Sequence, residues 1–349
     1  MSQSNDQTAP DLPWRTRIAV SIGTTVTDFC RRDNGTINRR LLKLLELTIP
    51  ATGKPETVHG KPGTTVTAKD ITLDPAKNLW VRVFAPNGKP EGNAKSSFPV
   101  IIYFHGGGFT FGSPASRGFH HLCKRFSGEI PAVVVSVNYR LSPENRYPAP
   151  YEDGVEVMRW ISGAGRKSSG DGALPENADV SRCFLAGDSA GANILHHVGY
   201  QTTKSADEFW PVKVAGHILL QPFFGGEERV PSELRITNAP IISINRTDWH
   251  WKFFLPENSN RDHHASNVFG PNSQEIGDLD FPASLVLIGG LDPLQDWQRR
   301  YFEWLRKNNK VVELLEYPKA FHAFYAFPGA KEINQLILDL KAFIQKYEG

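Results

Sequence analysis

The stretch Phe184-Leu185-Ala186-Gly187-Asp188-Ser189-Ala190-Gly191-Ala192-Asn193 decides the fold. Cys183 to Ala186 is a short apolar run that reads as a buried strand, and Ala192 to Val198 continues as a helix. Between them Gly187, Ser189 and Gly191 stand in the order G-x-S-x-G. A strand that turns sharply into a helix needs glycine on both flanks, where a Cβ would strike the neighbouring strand or helix. The serine is thereby lifted above the sheet at a helix N-terminus, whose N–H groups favour developing negative charge. Taken alone, the pentapeptide also fits a Gly-Ser turn of no consequence.

A second stretch adds weight. Val100 to Phe104 reads as another buried strand, and it runs directly into His105-Gly106-Gly107-Gly108-Phe109. Three glycines after a strand let the N–H groups of Gly106 and Gly107 turn inward and meet that of Ala190 around one oxygen. With both motifs in this order the chain resembles the hormone-sensitive-lipase branch of the α/β-hydrolases, and within it the plant carboxylesterases. The resemblance implies an α/β-hydrolase fold, a mostly parallel central sheet flanked by helices, with a helical cap from the N-terminus and an insertion. Residues 1–349 then form one such domain, with the cap drawn from about 1–60 and 223–280.

In this fold an acid and then a histidine follow the serine along the chain. Leu285 to Gly290 is an apolar strand that ends at Leu291-Asp292, which puts Asp292 on the edge where the elbow opens. Asp296 is the competitor, one turn later, at a helix start where capping or ion pairing suits it. Val311 to Tyr317 is the next strand, and His322 lies on the loop after it, in a His-x-Phe pattern similar to the family's. Ser189, His322 and Asp292 are therefore the expected nucleophile, base and orienting acid. That mechanism needs no metal or organic cofactor. Two positions depart from the family pattern: Ala192 and Ala323 stand where glycines are usual.

The rest of the chain fits this frame. The 349 residues carry 39 Lys and Arg against 37 Asp and Glu, a formal charge of +2, so no basic field for nucleic acid is present. Cys30, Cys123 and Cys183 are far apart and lack metal spacing, which argues for a reducing compartment. Met1 to Asp11 is polar, without the apolar core of a signal peptide, and Ile18 to Ile22 is too short to span a bilayer. These features place the protein in the cytosol, with the nucleus as a second compartment. The sequons at Asn34 and Asn245 are then idle. The expected partner is a small-molecule ester, and neither nucleic acid nor a membrane is expected.

Trp14 to Leu47 is helical in two pieces broken at Arg31-Arg32-Asp33-Asn34-Gly35. Trp14, Ile18, Leu41, Leu42 and Leu45 are expected to pack as a lid, and Arg31, Arg32, Arg39 and Arg40 either form a solvated face or meet an anion. The stretch from Arg31 to Arg39 looks like the lid of plant gibberellin receptors. Val66 to Leu73 and Leu79 to Phe84 read as strands, Ala85 to Ser97 as a polar loop, and Ala132 to Val137 as an apolar strand. Asn138 to Glu144 is similar to a structural stretch of the family. Tyr151 to Ile161 reads as an amphipathic helix, Gly163 to Gly172 as a Ser/Gly-rich surface loop, and Val214 to Leu220 as a strand. Lys331 to Lys346 is the last helix.

Roughly sixty residues separate Leu220 from the strand at Ser284, and they are rich in aromatics. Phe109, Phe223, Trp249 and Phe324 are the candidate substrate contacts, with packing inside the cap as the other reading of such rings. His250, His263 and His264 lack the cysteines or paired carboxylates of a metal site. Two rival functions use the same scaffold. One is a ligand sensor like the gibberellin receptors, which the resemblance says lack the histidine found here as His322. The other is a dehydratase, lyase or transacylase of plant specialised metabolism.

Overall fold

The computed structural model describes residues 12–58, 60–88, 97–163, 173–327 and 329–348. The polar segment Met1 to Asp11 lies outside the described residues, as do the expected loops Ala85 to Ser97 and Gly163 to Gly172 apart from their flanks.

Nine strands form one sheet: β1 (Pro55–Thr57), β2 (Thr65–Asp74), β3 (Leu79–Pro86), β4 (Phe98–Phe104), β5 (Val133–Asn138), β6 (Ala178–Asp188), β7 (Val214–Leu220), β8 (Ala283–Gly289) and β9 (Val312–Tyr317). Their order is β1-β2-β3-β5-β4-β6-β7-β8-β9. The first three strands pair antiparallel, β3 joins β5 antiparallel, and from β5 to β9 every pair is parallel. The apolar runs of β4 and β5 follow from this position. Both faces are covered, so Val100, Ile102 and Phe104 enter one core while Ile101 and Tyr103 enter the other. Burying each such aliphatic or aromatic side chain contributes about 1.5–3 kcal/mol.

The helices are α1 (Trp14–Cys30), α2 (Arg39–Leu45), α3 (Arg117–Glu129), α4 (Ala149–Ser162), α5 (Ala190–Lys204), α6 (Pro231–Arg235), α7 (Ile244–Phe254), α8 (Gln295–Lys307) and α9 (Ile333–Tyr347). The apolar sides of α4, α5 and α8 build one core, and those of α3 and α9 build the other. Helix α4 stops at Gly163, whose φ of 86° supplies the left-handed turn that a Cβ would strain. Helices α1 and α2, with α6 and α7 from the long insertion, lie off the sheet. Helices α1, α2 and α7 meet above the carboxyl ends of the parallel strands, where ligands bind in open α/β sheets, while α6 packs against α8.

The N-terminal lid departs from expectation in detail. Ile18, Leu42 and Leu45 face the cavity below the lid, but Trp14 is 66% exposed and Leu41 packs instead against the small Cys30–Ile37–Leu42 cluster. Arg39 neither belongs to a solvated face nor waits for an anion. Its guanidinium holds Glu144 through two bonds of 2.9 and 2.6 Å and donates to the carbonyls of Thr110 and Ser142. The stretch Asn138 to Glu144 is thus a structural hub, with Arg140 paired to the buried Asp153 and the Tyr139 hydroxyl bonded to the His105 carbonyl at 2.6 Å.

Candidate active site

Ser189 sits at the end of β6 with φ 51° and ψ −118°, a strained conformation for a residue with a Cβ. The turn closes so tightly that a Cβ on Gly187 would lie 2.5 Å from the Gly191 carbonyl oxygen. One on Gly191 would lie 1.9 Å from that of Phe104. Both glycines are therefore fixed by backbone approach. The elbow is pinned to the next strand by Ser189 N–H donating to Leu220 at 2.9 Å.

Three side chains from separate strand ends meet here. His322 Nε2 is 2.9 Å from Ser189 Oγ, and its Nδ1 is 2.7 Å from Asp292 Oδ2. All three residues are buried. Asp292 has no solvent exposure and is satisfied by the Leu294 N–H at 2.9 Å and the Gln298 amide at 2.8 Å. A buried carboxylate so furnished holds one orientation and keeps the Nδ1 proton of the imidazole in place. Asp296, the rival acid, instead accepts the Ser232 N–H at 2.8 Å and caps α6.

Two polar residues that serve this site carry no signal in the sequence. Gln221, fully buried at the end of β7, grips the histidine loop on both sides of His322. Its Oε1 accepts the Ala323 N–H at 2.8 Å, and its Nε2 donates to the Phe321 carbonyl at 3.2 Å. Gln298 is the second, on the face of α8 that meets Asp292. Ala323, in place of the usual glycine, takes φ 59°.

The glycine loop requires a correction. The Gly106 N–H points away from the serine and donates to Asp188 Oδ1 at 2.7 Å, an oxygen that also accepts the Tyr103 hydroxyl at 2.5 Å. That hydrogen is spent inside the protein. Burial pushes the Asp188 carboxyl up to about 6, while the Tyr103 and Gly106 bonds pull the other way. Gly107 and Gly108, with φ of 107° and 61°, line the cavity beside Ser189. Their N–H groups and that of Ala190 carry no hydrogen bond to another described residue. Gly107 and Gly108, not Gly106, are the loop glycines at the cavity, because an N–H bonded to Asp188 cannot also face it. His105 stacks on Tyr139 with ring centroids 4.3 Å apart, and burial lowers it to about 4, so it is neutral.

The cavity over Ser189 has a volume of about 560 Å³ and is walled by α1, α2, the glycine loop, and the segment from Ile241 to His250. Of the four expected aromatic contacts only Phe223 lines it. Phe109, at φ 63°, turns into the core and stacks on Phe254 at 3.7 Å. Trp249 packs against Arg31 and Phe253, and Phe324 is buried beside Tyr317 and Tyr325 in the core under α3 and α9. Phe111 and Phe327 line the cavity instead. His250 borders it too, hydrogen-bonded through Nδ1 to the Thr110 hydroxyl at 3.2 Å. Burial lowers it to about 3, aided by Arg31 and Arg246. His263 and His264 stack on one another, and the latter meets the Tyr147 hydroxyl at 2.9 Å.

Comparison with known proteins agrees with this geometry. The sequence profile of the α/β-hydrolase fold matches residues 101–326, and that of the carboxylesterase family matches 58–143. The chain is 37% identical over 343 residues to gibberellin receptor GID1C of Arabidopsis thaliana, covering 95% of this chain and 94% of that one. It is 37% identical over 285 residues to carboxylesterase 20 of the same plant, covering 79% and 84%. Among solved structures, an ester-hydrolase from the metagenome of Lake Arreo superposes with a TM-score of 0.70 at 24% identity, covering 96% of this chain and 99% of that one. The strand order, the serine elbow at its centre and the span of these matches lead to one conclusion: the chain belongs to the α/β-hydrolase-fold family, in its hormone-sensitive-lipase-like branch.

Proposed function

We propose that the protein is a serine carboxylesterase that hydrolyses a small apolar carboxylic ester through an acyl-enzyme. The observation that carries this reading is the continuous hydrogen-bond chain from Asp292 through His322 to Ser189. Ser189 Oγ attacks the ester carbonyl as His322 Nε2 takes its proton, and Asp292 holds the resulting imidazolium through Nδ1–H. The tetrahedral oxyanion is met by the N–H groups of Gly107, Gly108 and Ala190, each worth about 3 kcal/mol to the transition state. His322 then protonates the leaving alkoxide. Water, deprotonated by the same nitrogen, attacks the acyl carbon and returns the serine. Helices α1 and α2 and the insertion at 223–280 act as the cap that closes the site from above. The free, buried thiols of Cys30, Cys123 and Cys183 suit a cytosolic setting.

A ligand sensor is the second reading, favoured by the 37% identity to a gibberellin receptor. The bonds made by His322 weigh against it, because binding alone has no use for a base poised on a nucleophile. The test is hydrolysis of a p-nitrophenyl ester series by the wild type, Ser189→Ala and His322→Ala, with products identified as free acid and alcohol. Turnover by the wild type and its loss in both variants is expected. A folded wild type that hydrolyses nothing, or a Ser189→Ala variant with normal turnover, refutes the assignment.

A further inference from the structure

Among the described residues eleven large apolar side chains are exposed, and seven of them fall between Trp14 and Leu47. Four are on α1: Trp14, Ile18, Ile22 and Phe29. At 100° per residue they fall within an arc of about 80°, so they form one stripe along the outer face of the helix. Leu44, 81% exposed, belongs to α2, and Leu45 and Leu47 follow at its end. Exposed leucines scattered singly need no explanation, but a run of this density on two adjacent helices does.

The stripe is continuous with the cavity. Ile18, Ile22, Leu45 and Leu47 are exposed and also line the space above Ser189, so the same side chains form its apolar lips. The charges around them are one-sided. Arg15, Arg17, Arg32, Arg40 and Lys43 are exposed, against the exposed acids Asp28 and Asp33. Asp28 is already engaged by Arg246 and Arg31. Over residues 12–47 seven Lys and Arg stand against three Asp and Glu, so this segment is cationic while the rest of the chain, whose net charge is +2 in all, is slightly acidic.

We propose that α1 and α2 form an interfacial binding surface that seats the protein on an anionic lipid surface, from which an amphiphilic ester passes between the lips to Ser189. An apolar stripe edged by arginine and lysine is the pattern of helices that lie in a membrane interface. Anionic headgroups add attraction that falls with salt. A second copy of this chain fits less well, since a two-fold contact through this face would set its arginines and lysines against themselves. No helix among the described residues is long and apolar enough to cross a membrane, which is a different mode of attachment from adsorption. The expectation from sequence that no membrane is a partner rests on the absence of a spanning segment, which leaves adsorption open. The delivery of substrate rests on the esterase reading, whereas the attachment itself does not.

The test uses the full chain and sedimentation with vesicles of phosphatidylcholine, with and without phosphatidylglycerol, at low and high salt. The wild type and Ser189→Ala should both partition onto the anionic vesicles at least about tenfold better than onto neutral ones, less so in high salt. A Phe29→Glu, Leu44→Glu double variant alters two exposed residues that line no part of the cavity. It should lose that partitioning and hydrolyse a dissolved short-chain ester at the wild-type rate. Absence of wild-type binding to anionic vesicles overturns the proposal. So does binding that the double variant retains, or a wild-type dimer in light scattering that the double variant breaks while vesicles bind neither. Because Ser189→Ala reads attachment without turnover, a failed esterase reading and a failed surface are told apart.

Discussion

Replacing Gln221 by leucine removes the grip on the histidine loop at nearly constant volume. Gln221 is fully buried, and its amide satisfies the Ala323 N–H at 2.8 Å and the Phe321 carbonyl at 3.2 Å. The Phe321 carbonyl keeps a long bond to the Phe324 N–H at 3.4 Å, so it is partly compensated, but the Ala323 N–H is left bare. A buried donor without a partner costs about 1–3 kcal/mol, and the weakened acceptor adds a fraction of that, so the fold should lose about 2–3 kcal/mol. Catalysis should suffer separately. His322 lies between the two anchored peptides, and a displacement of about 1 Å from its line to Ser189 costs on the order of 100-fold in rate. The expected result for Gln221→Leu is a kcat lowered about 10- to 100-fold on a short p-nitrophenyl ester, with KM within about threefold, since Gln221 lines no part of the cavity. Gln221→Glu keeps an acceptor for Ala323. It should recover part of kcat while moving the acid limb of the pH–rate profile upward, because a carboxylate beside the imidazole favours its protonated form. A leucine variant that loses stability in urea titrations yet keeps the wild-type kcat refutes the positioning role.

The other predictions follow from the same geometry. Asp292→Asn should lower kcat about 10⁴-fold, whereas Asp296→Asn, which disturbs only the cap on α6, should stay within a few-fold; reversed effects would exchange the two roles. Gly107→Ala would place a Cβ 2.2 Å from the Phe111 carbonyl oxygen at φ 107°, with only backbone to yield. It should abolish esterase turnover with the protein still folded by circular dichroism, and an active variant would refute the loop assignment. The Asp188 carboxyl is raised to about 6 in the fold, so the native state holds its proton more tightly than the unfolded chain does. Its contribution to stability is complete below about pH 4 and is lost as pH rises through 6, a change of about 3 kcal/mol. Asp188→Asn should therefore gain on the wild type in urea unfolding as pH goes from 4 to 7, and a pH-independent difference would refute the buried-carboxylate account.

What could be read from sequence divides along a physical line. Covalent connectivity and close backbone approach leave marks in composition: the glycines at 187 and 191, the apolar runs of β4, β5 and β8, and the polar residues that follow them. Asp292 was separable from Asp296 because one follows a strand directly and the other comes a turn later. The direction of an individual N–H leaves no such mark. Gly106 and Gly108 look alike in sequence, and only the packing of Asp188 against the first decides that the second faces the cavity. The same limit applies to Phe109 and Phe111, two residues apart, of which the first takes a positive φ into the core and the second reaches the cavity. Gln221 was invisible because its work is done on a loop about a hundred residues away.

The two halves of the site are held by different forces, and this explains how one scaffold carries both receptors and esterases among its relatives. The reactive groups hang from the ends of β4, β6, β8 and β9 and are fixed by buried hydrogen bonds to Asp188, Gln221, Gln298 and the backbone. Losing one such bond leaves a dry polar atom, so these residues tolerate little change. The walls that choose the ligand are attached differently. Helix α2 is tied to the body by Arg39 on a half-exposed Glu144, and α1 meets the insertion through Asp28 and Arg246 at the rim. Partly solvated pairs of this kind contribute little individually, so substitutions there can reshape the cavity with small cost to folding. The walls of the lid therefore speak to what the cavity admits, whereas the bonds of His322 speak to what happens to the ligand once inside. In this chain both sets of residues are in place, and under the proposed esterase mechanism the second set is what would turn over an ester that enters rather than merely retain it.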